Sequence, residues 1–280
     1  MIITILEKVR KSLLNILTFV FWIAVLVIYR LNVKPLDTVV FLDVGQGDAT
    51  LIQNGNLQLV VDGGNDISIL YELQKYIPFY DREIEYILLT HPHNDHLVGL
   101  LYILNTYEVG EILYYPVCFE NSNYEFLLSY LDNLKKVKAG DTIRLGNLNI
   151  NIIWPREKIE GMDMCNKSWN NNINNDSLVL KFRYLNRDFL LLGDAEQEVE
   201  KILISEKVVN GKINILKAGH HCSRTSSSET FLKTAIPDIA ICSSGEGNKF
   251  GHPSSETLHK FDLLNVQYFV TSRNGSIQIK

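Results

Sequence analysis

Hydrophobic and polar positions divide the chain into three regimes. From Leu13 to Ile28 the sequence is almost wholly apolar, broken only by Asn15 and Thr18. Beyond Pro35, short apolar runs alternate with polar turns, the pattern of strands and amphipathic helices around a core. Over 161–176 the period disappears into asparagine-rich sequence, which predicts a loop.

The middle regime predicts its elements in order. Thr38–Val44 predicts a strand, Gly45-Gln46-Gly47-Asp48 a turn that Asp43 and Asp48 help to shape, and Ala49–Gln53 a second strand. Asn54-Gly55-Asn56 marks a hairpin to a third strand, Leu57–Val61, which runs into Asp62-Gly63-Gly64. Helices follow at Ile67–Tyr76, from Leu97 to about Tyr107, and at Tyr124–Leu134, with strands at Tyr86–Leu89 and Glu111–Tyr115. Asp141–Ile153 reads as a hairpin around Gly146-Asn147. Ser177–Tyr184 and Arg187–Leu192 form another around Asn186. A helix at Glu196–Ile204, strands at Ile213–Lys217 and Pro237–Cys242, a helix at Glu256–Leu264 and strands at Gln267–Thr271 and Ser276–Lys280 complete the chain. Periodicity alone gives a mixed α and β domain over residues 36–280.

Composition adds the appendage. With 280 residues and 46% hydrophobic content, the chain holds one large core and a separate segment at 1–35. The Leu13–Ile28 run is a little short of the ~20 residues of an ideal membrane span. It is flanked by Lys8, Arg10 and Lys11 before and by Arg30 and Lys34 after, with the aromatic Trp22 within it and Tyr29 just after it. It reads as a single-pass membrane anchor, against a cleaved signal peptide or a buried helix. No small-residue cleavage site follows Ile28. The basic N-terminal flank predicts the N-terminus inside and the remaining chain outside the cytoplasmic membrane. The net charge of −5 speaks against a general basic nucleic-acid coat, but not against a local phosphate-binding cleft. Of the four cysteines, Cys118, Cys165, Cys222 and Cys242, the last two are the first choice for a bridge.

The chemistry concentrates after the Tyr86–Leu89 strand. Three of the chain's seven histidines fall in Thr90-His91-Pro92-His93-Asn94-Asp95-His96. His91 and His93 suit one metal ion, Asp95 and His96 a second, and the donors fit Zn²⁺, Mn²⁺ or Fe²⁺. Asp194, after glycine at a strand end, can bridge two cations; its alternative is a helix N-cap.

This H-x-H-x-D-H stretch resembles the metallo-β-lactamase superfamily of binuclear metallohydrolases. The opening F-L-D-V-G-Q-G-D-A-T-L-I, then V-V-D-G-G, looks like the extracellular hydrolase domain of ComEC-type DNA-uptake competence proteins. The elements N-N-D-S-L-V-L, L-K-A-G-H-H-C-S-R-T-S and G-H-P-S-S-E follow in that family's order, from Thr38 to the end of the chain. The resemblance implies an α+β fold, a four-layer αββα sandwich, which the single transmembrane helix read from the apolar run would precede. It implies that Asp62 steadies the metal loop, that Asp194 lies between two ions, and that His220 completes the second site. His221 would then stand behind the ligands or face substrate. Cys222 replaces the family's glycine. No histidine occurs between His96 and His220, where many superfamily members have a ligand. Asn175, Asp176 or water would fill that place at the second of the two divalent ions (zinc or manganese).

Asp95, Asp194 and His252 are assigned to the chemistry itself, with His252 binding phosphate or protonating the leaving oxygen, or else fixing its own loop. Arg224 and nearby serines are expected against an anionic substrate. Trp169 either stacks on a base or folds back on its domain. The resemblance implies a metal-dependent phosphodiesterase or nuclease acting on DNA outside the membrane through a metal-activated water. A single apolar span does not make a DNA channel, so a channel would be a partner. The alternatives are a cell-wall phosphorylcholine esterase or other phosphoesterase, a non-catalytic DNA-binding partner of such a channel, and a lactam or thioester hydrolase.

Overall fold

Along the central strands, successive side chains divide between two cores, as the two-residue period of a strand requires. Leu178, Leu180 and Phe182 enter one buried cluster while Val179 enters another; Phe189 and Leu191 part from Leu190 and Leu192 in the same way. The computed structural model, which describes residues 2–32, 37–156 and 172–280, shows where those faces point. Trp169 and Cys165 lie outside the described residues.

The chain divides into two units, Met1–Pro35 and Leu36–Lys280. The first contains helix α1 (Ile2–Asn32). Its stretch Glu7–Ile28 is 22 residues, all exposed, and is long and apolar enough to cross a membrane. At a rise of ~1.5 Å per residue it matches a hydrocarbon core of about 30 Å.

The second unit holds fourteen strands among its described residues. They are β1 (Thr38–Phe41), β2 (Thr50–Asn54), β3 (Leu57–Val61), β4 (Glu83–Leu89), β5 (Glu108–Tyr114), β6 (Leu134–Lys136) and β7 (Thr142–Leu145), then β8 (Leu148–Trp154), β9 (Val179–Tyr184), β10 (Arg187–Leu191), β11 (Ile215–Lys217), β12 (Ile239–Cys242), β13 (Gln267–Val270) and β14 (Ile277–Ile279). They form two seven-stranded sheets, ordered β14-β1-β2-β3-β4-β5-β6 and β13-β12-β11-β10-β9-β8-β7. Residues of both sheets share one core, where Phe182 stacks on Phe189 at 4.9 Å. Helices α2 (Ser68–Leu73), α3 (Asn94–Leu104) and α4 (Ser122–Leu128) accompany the first sheet. Helices α5 (Gln197–Ser205), α6 (Glu229–Ala235) and α7 (Ser255–Leu263) cover the second, through the other core. This is the expected αββα sandwich.

Two groups of strands, β3 to β6 and β10 to β13, are parallel, and each runs to one edge of its sheet. Parallel strands buried on both faces read as unbroken apolar runs, as Tyr86–Leu89 does. The expected helix at Tyr124–Leu134 is corrected. Asn121 caps α4 by accepting from the Asn123 and Tyr124 amides, so the helix starts early and ends at Leu128. Asn133 then donates to the Val109 and Gly110 carbonyls, which draws Leu134–Lys136 onto the sheet edge beside β5. The end of the predicted asparagine-rich loop is also ordered, as a 3₁₀ turn at Ile173–Asp176.

Candidate metal centre

The parallel strands deliver their C-terminal ends to one place between the sheets. Asp62 follows β3, the histidine motif follows β4, Asp194 follows β10, His220 and His221 follow β11, and the loop carrying His252 follows β12. Two glycines allow the first two to meet closely. A Cβ on Gly99 would lie 1.7 Å from the Gly63 carbonyl oxygen, so only glycine lets α3 sit this near the β3 turn. The Gly63 amide donates to the His96 carbonyl at 2.7 Å, and the Gly99 amide to the Gly64 carbonyl at 3.0 Å.

Asp194 lies at the bottom, 2% exposed. Its Oδ2 is 3.3 Å from His96 Nε2, 3.4 Å from His221 Nε2, 3.8 Å from His91 Nε2 and 4.0 Å from His220 Nε2. Asp95 Oδ2 stands 3.3 Å from His221 Nε2, and His93 Nδ1 stands 2.9 Å from His91 Nε2. Asp194 does not cap a helix, because α5 begins at Gln197 with Glu196 in the cap position. Ligand atoms of Asp48, His96, Asp194 and His221 fall within 4.8 Å of one another, and so do those of His91, His93 and Asp194.

Carboxylates hold the imidazoles from behind. Asp62 accepts from His96 Nδ1, the Thr90 amide and the Thr90 hydroxyl, each at 2.8 Å. Asp48 accepts from His221 Nδ1 at 3.0 Å and pairs with the buried Lys217 ammonium at 2.5 Å. Glu196 accepts from His220 Nδ1 at 2.8 Å and the Thr225 hydroxyl at 2.9 Å. Each bond fixes the ring and turns Nε2 toward the cluster, the usual device for orienting a metal-binding histidine.

Two residues sit differently from the sequence expectation. His221, not His220, is the deeper histidine; its ring is buried against Asp95 and Asp194, while His220 is partly exposed. Asp48 does more than shape a turn. It reaches the back of the site because the G-Q-G-D turn leads directly into the buried strand β2.

The electrostatics call for positive charge. Burial opposes ionisation of His96 and His221, yet Asp194 with Asp62, and Asp194 with Asp48, raise both well above the ordinary imidazole range. Asp194 is itself held well below the carboxylate range, against burial, by His221 and His96. Burial and then His96 push His91 well down, and His93 moves down for the same reasons. His252 falls to about 4 through burial and then the nearby His221 and His220, so it is neutral at pH 7.

The donors fit divalent cations by a test independent of the motif. His96 Nε2, His221 Nε2 and Asp194 Oδ1 are buried without a hydrogen-bond partner. Such atoms cost about 1–3 kcal/mol each unless something takes their lone pairs. A cation among them satisfies all three. Above the cluster opens a cleft of about 340 Å³ lined by His93, Asp95, Phe119, Asn174, His220 and His252 among others. From the asparagine-rich exit it is Asn174 that lines this cleft, with its Oδ1 buried and without a hydrogen-bond partner. Asn175 instead braces the fold, accepting from Trp154 Nε1 and the Glu196 amide, and Asp176 is wholly buried in the 3₁₀ turn. Arg224 is exposed and lies outside this cleft, in an adjoining groove.

The cysteine that replaces a glycine also has an explanation. His220, His221 and Cys222 have φ of +46°, +53° and +60°, three successive left-handed residues. A disulfide joins Cys222 to Cys242 at the end of β12, and the Ser254 amide donates to the Cys222 carbonyl at 3.0 Å. These ties hold the turn that presents both histidines. Cys118 is disulfide-bonded as well.

The profile of the metallo-beta-lactamase superfamily matches residues 42–246, from the end of the first strand through every element of the cluster except His252. The chain belongs to that superfamily. It is 27% identical over its whole length to the ComE operon protein 3 of Bacillus subtilis, and 31% identical over 90% of its length to the recombination protein 2 of Haemophilus influenzae. It spans only 38% and 31% of those two proteins. The metallo-beta-lactamase fold protein YhfI of Bacillus subtilis superposes with a TM-score of 0.54 at 13% identity, over 86% of this chain and 99% of that one, a likeness of fold. The chain is therefore a metallohydrolase by fold and by donor set, related to competence proteins.

Proposed function

We propose that the chain is a metal-dependent phosphodiesterase that cleaves DNA on the outer side of a membrane. The convergence of His96 Nε2, His221 Nε2 and Asp194 Oδ1, buried and without hydrogen-bond partners, beneath an open cleft carries this reading. His91, His93 and Asp194 would hold one cation; Asp95, His96 and His221 would hold the other, with Asp194 shared. Bound divalent ions supply an activated water and positive charge against a phosphoryl oxygen.

The chain's own residues do the rest. Asp62, Asp48 and Glu196 lock the imidazole orientations so that the Nε2 atoms face inward. His252 on the cleft wall is neutral and offers an N–H to a phosphate oxygen; burial denies it the proton that an imidazolium acid would need. His220, half-turned into the cleft with its Nδ1 held by Glu196, offers a second contact to the substrate.

DNA as substrate is supported by the F-L-D-V-G-Q-G-D-A-T-L-I opening and by relatives named for the ComE operon, for recombination and for competence. An outer location is supported by the basic flank before Leu13 and by the Cys222–Cys242 bridge, which suits an oxidising compartment. A channel that carries the strand would be a separate partner. The test offers the full chain, in detergent micelles with Mn²⁺ or Zn²⁺, labelled single-stranded DNA and a phosphorylcholine ester side by side. Cleavage of the DNA is expected. Turnover of the ester alone would move the enzyme to cell-wall chemistry.

A further inference from the structure

Past His252 the cleft continues into a second groove of about 640 Å³, with His220, Phe250 and His252 forming the wall common to both. A solitary exposed aromatic carries no message by itself. Phe250 differs in its setting. It is 58% exposed, yet the loop that bears it is braced by one side chain. Asn248 Nδ2 donates to the Gly245 and His252 carbonyls, while its Oδ1 accepts from the Phe250 and His252 amides. The Phe250 and His252 rings lie within 25° of parallel, at 5.9 Å. A flat apolar face is thus held at a fixed angle beside the reacting centre.

Cations gather around that face, although the chain as a whole carries a net charge of −5. Lys249 Nζ lies 5.2 Å from the Phe250 ring centroid. Arg224 lines the groove and has no carboxylate partner among the described residues, while the one acid there, Glu256, is 3.2 Å from Lys260. A quaternary ammonium ligand requires an aromatic cage free of competing cations. A phosphate-linked base requires a ring and a positive charge nearby.

We propose that this groove is the subsite for the nucleotide flanking the scissile phosphodiester, its base stacked on Phe250 and its phosphate held by Arg224 and Lys249. The proposal rests on the phosphodiesterase reading and makes it specific: the substrate is a chain of nucleotides, engaged across at least two of them. Lys249 exchanges its place over the ring for the incoming phosphate.

The experiment uses the full chain in detergent micelles with Mn²⁺, as wild type, Phe250→Ala, Phe250→Trp and Arg224→Ala. Steady-state KM and kcat are measured for a short oligothymidylate and for bis(p-nitrophenyl) phosphate, and anisotropy reads binding of the labelled oligonucleotide. Phe250→Ala should weaken oligonucleotide binding roughly 10- to 100-fold, the scale of one lost base stack, and Phe250→Trp should restore it. The rise should appear in KM more than in kcat, and should shrink the preference for oligonucleotide over the small diester. Arg224→Ala should lower the slope of log affinity against log salt by about 0.7, the single-strand value for one phosphate contact. Unchanged preference and unchanged binding in Phe250→Ala would overturn the subsite. If wild type cleaves neither diester, the parent reading fails. The anisotropy series then decides the subsite independently.

Discussion

His221 Nδ1 donates to Asp48 Oδ1 across 3.0 Å, although 173 residues of chain separate them. The other oxygen of Asp48 meets the Lys217 ammonium, which is 2% exposed. One carboxylate therefore orients a histidine of the cluster and neutralises a buried cation. Asp48→Asn should lower metal affinity by about 10- to 100-fold, the usual effect of losing an orienting carboxylate. It should also destabilise the metal-free protein by about 3–5 kcal/mol, because the Lys217 charge loses its partner. Metal titration and thermal unfolding check the two effects separately. A variant with wild-type values in both would remove Asp48 from the account.

Metal binding should depend on pH, with a definite sign. His96 and His221 have raised proton affinities in the folded chain, so both are protonated near and above the ordinary imidazole value of 6.5. A cation must displace those protons, and its affinity therefore rises as pH rises. Calorimetry in buffers of different ionisation enthalpy should show release of about two protons per site cluster at neutral pH. Uptake of protons, or none exchanged, would contradict the arrangement of carboxylates around these rings.

The Cys222–Cys242 bridge closes a sequence separation of 20 residues. Removing it should lower stability by about 3 kcal/mol in the chain-entropy account. The replacement at position 222 matters as well, since its φ is +60°. Cys222→Gly with Cys242→Ala should be more stable than Cys222→Ala with Cys242→Ala by about 1 kcal/mol, the cost of a left-handed non-glycine residue. Thermal unfolding of both double variants provides the comparison. Equal stabilities would show that the turn relaxes once the bridge is gone.

Much of this arrangement was legible because it is written locally. The H-x-H-x-D-H run, the Asp194 strand end and the paired histidines each sit directly after an apolar run. A strand end is where a side chain leaves the sheet for the cleft. Asn54-Gly55-Asn56 and Gly146-Asn147 set their hairpins for the same reason: the turn chemistry is contained within two or three residues. What stayed hidden depends on long-range contact. Asp48 looks like any turn aspartate until β11 is laid against it. Which of two adjacent histidines lies deeper is not written in the local pattern, because both sit in a turn of three consecutive left-handed residues that no side-chain pattern announces. Asn174 lies one and two residues from the positions expected to replace the absent ligand, and a short 3₁₀ turn decides which of the three faces the cleft. The α4 and β6 boundary turned on the side chains of Asn121 and Asn133, whose partners are only partly local.

The most direct test of the account couples metal content to cleavage. The full chain, stripped of metal and titrated with Mn²⁺ or Zn²⁺, is followed by elemental analysis and by release of label from single-stranded DNA, with Asp194→Asn alongside. The account predicts cleavage that rises with bound metal, and in Asp194→Asn a loss of both metal and activity by about 100-fold or more. DNA cleavage that persists without metal, or survives intact in Asp194→Asn, would contradict it.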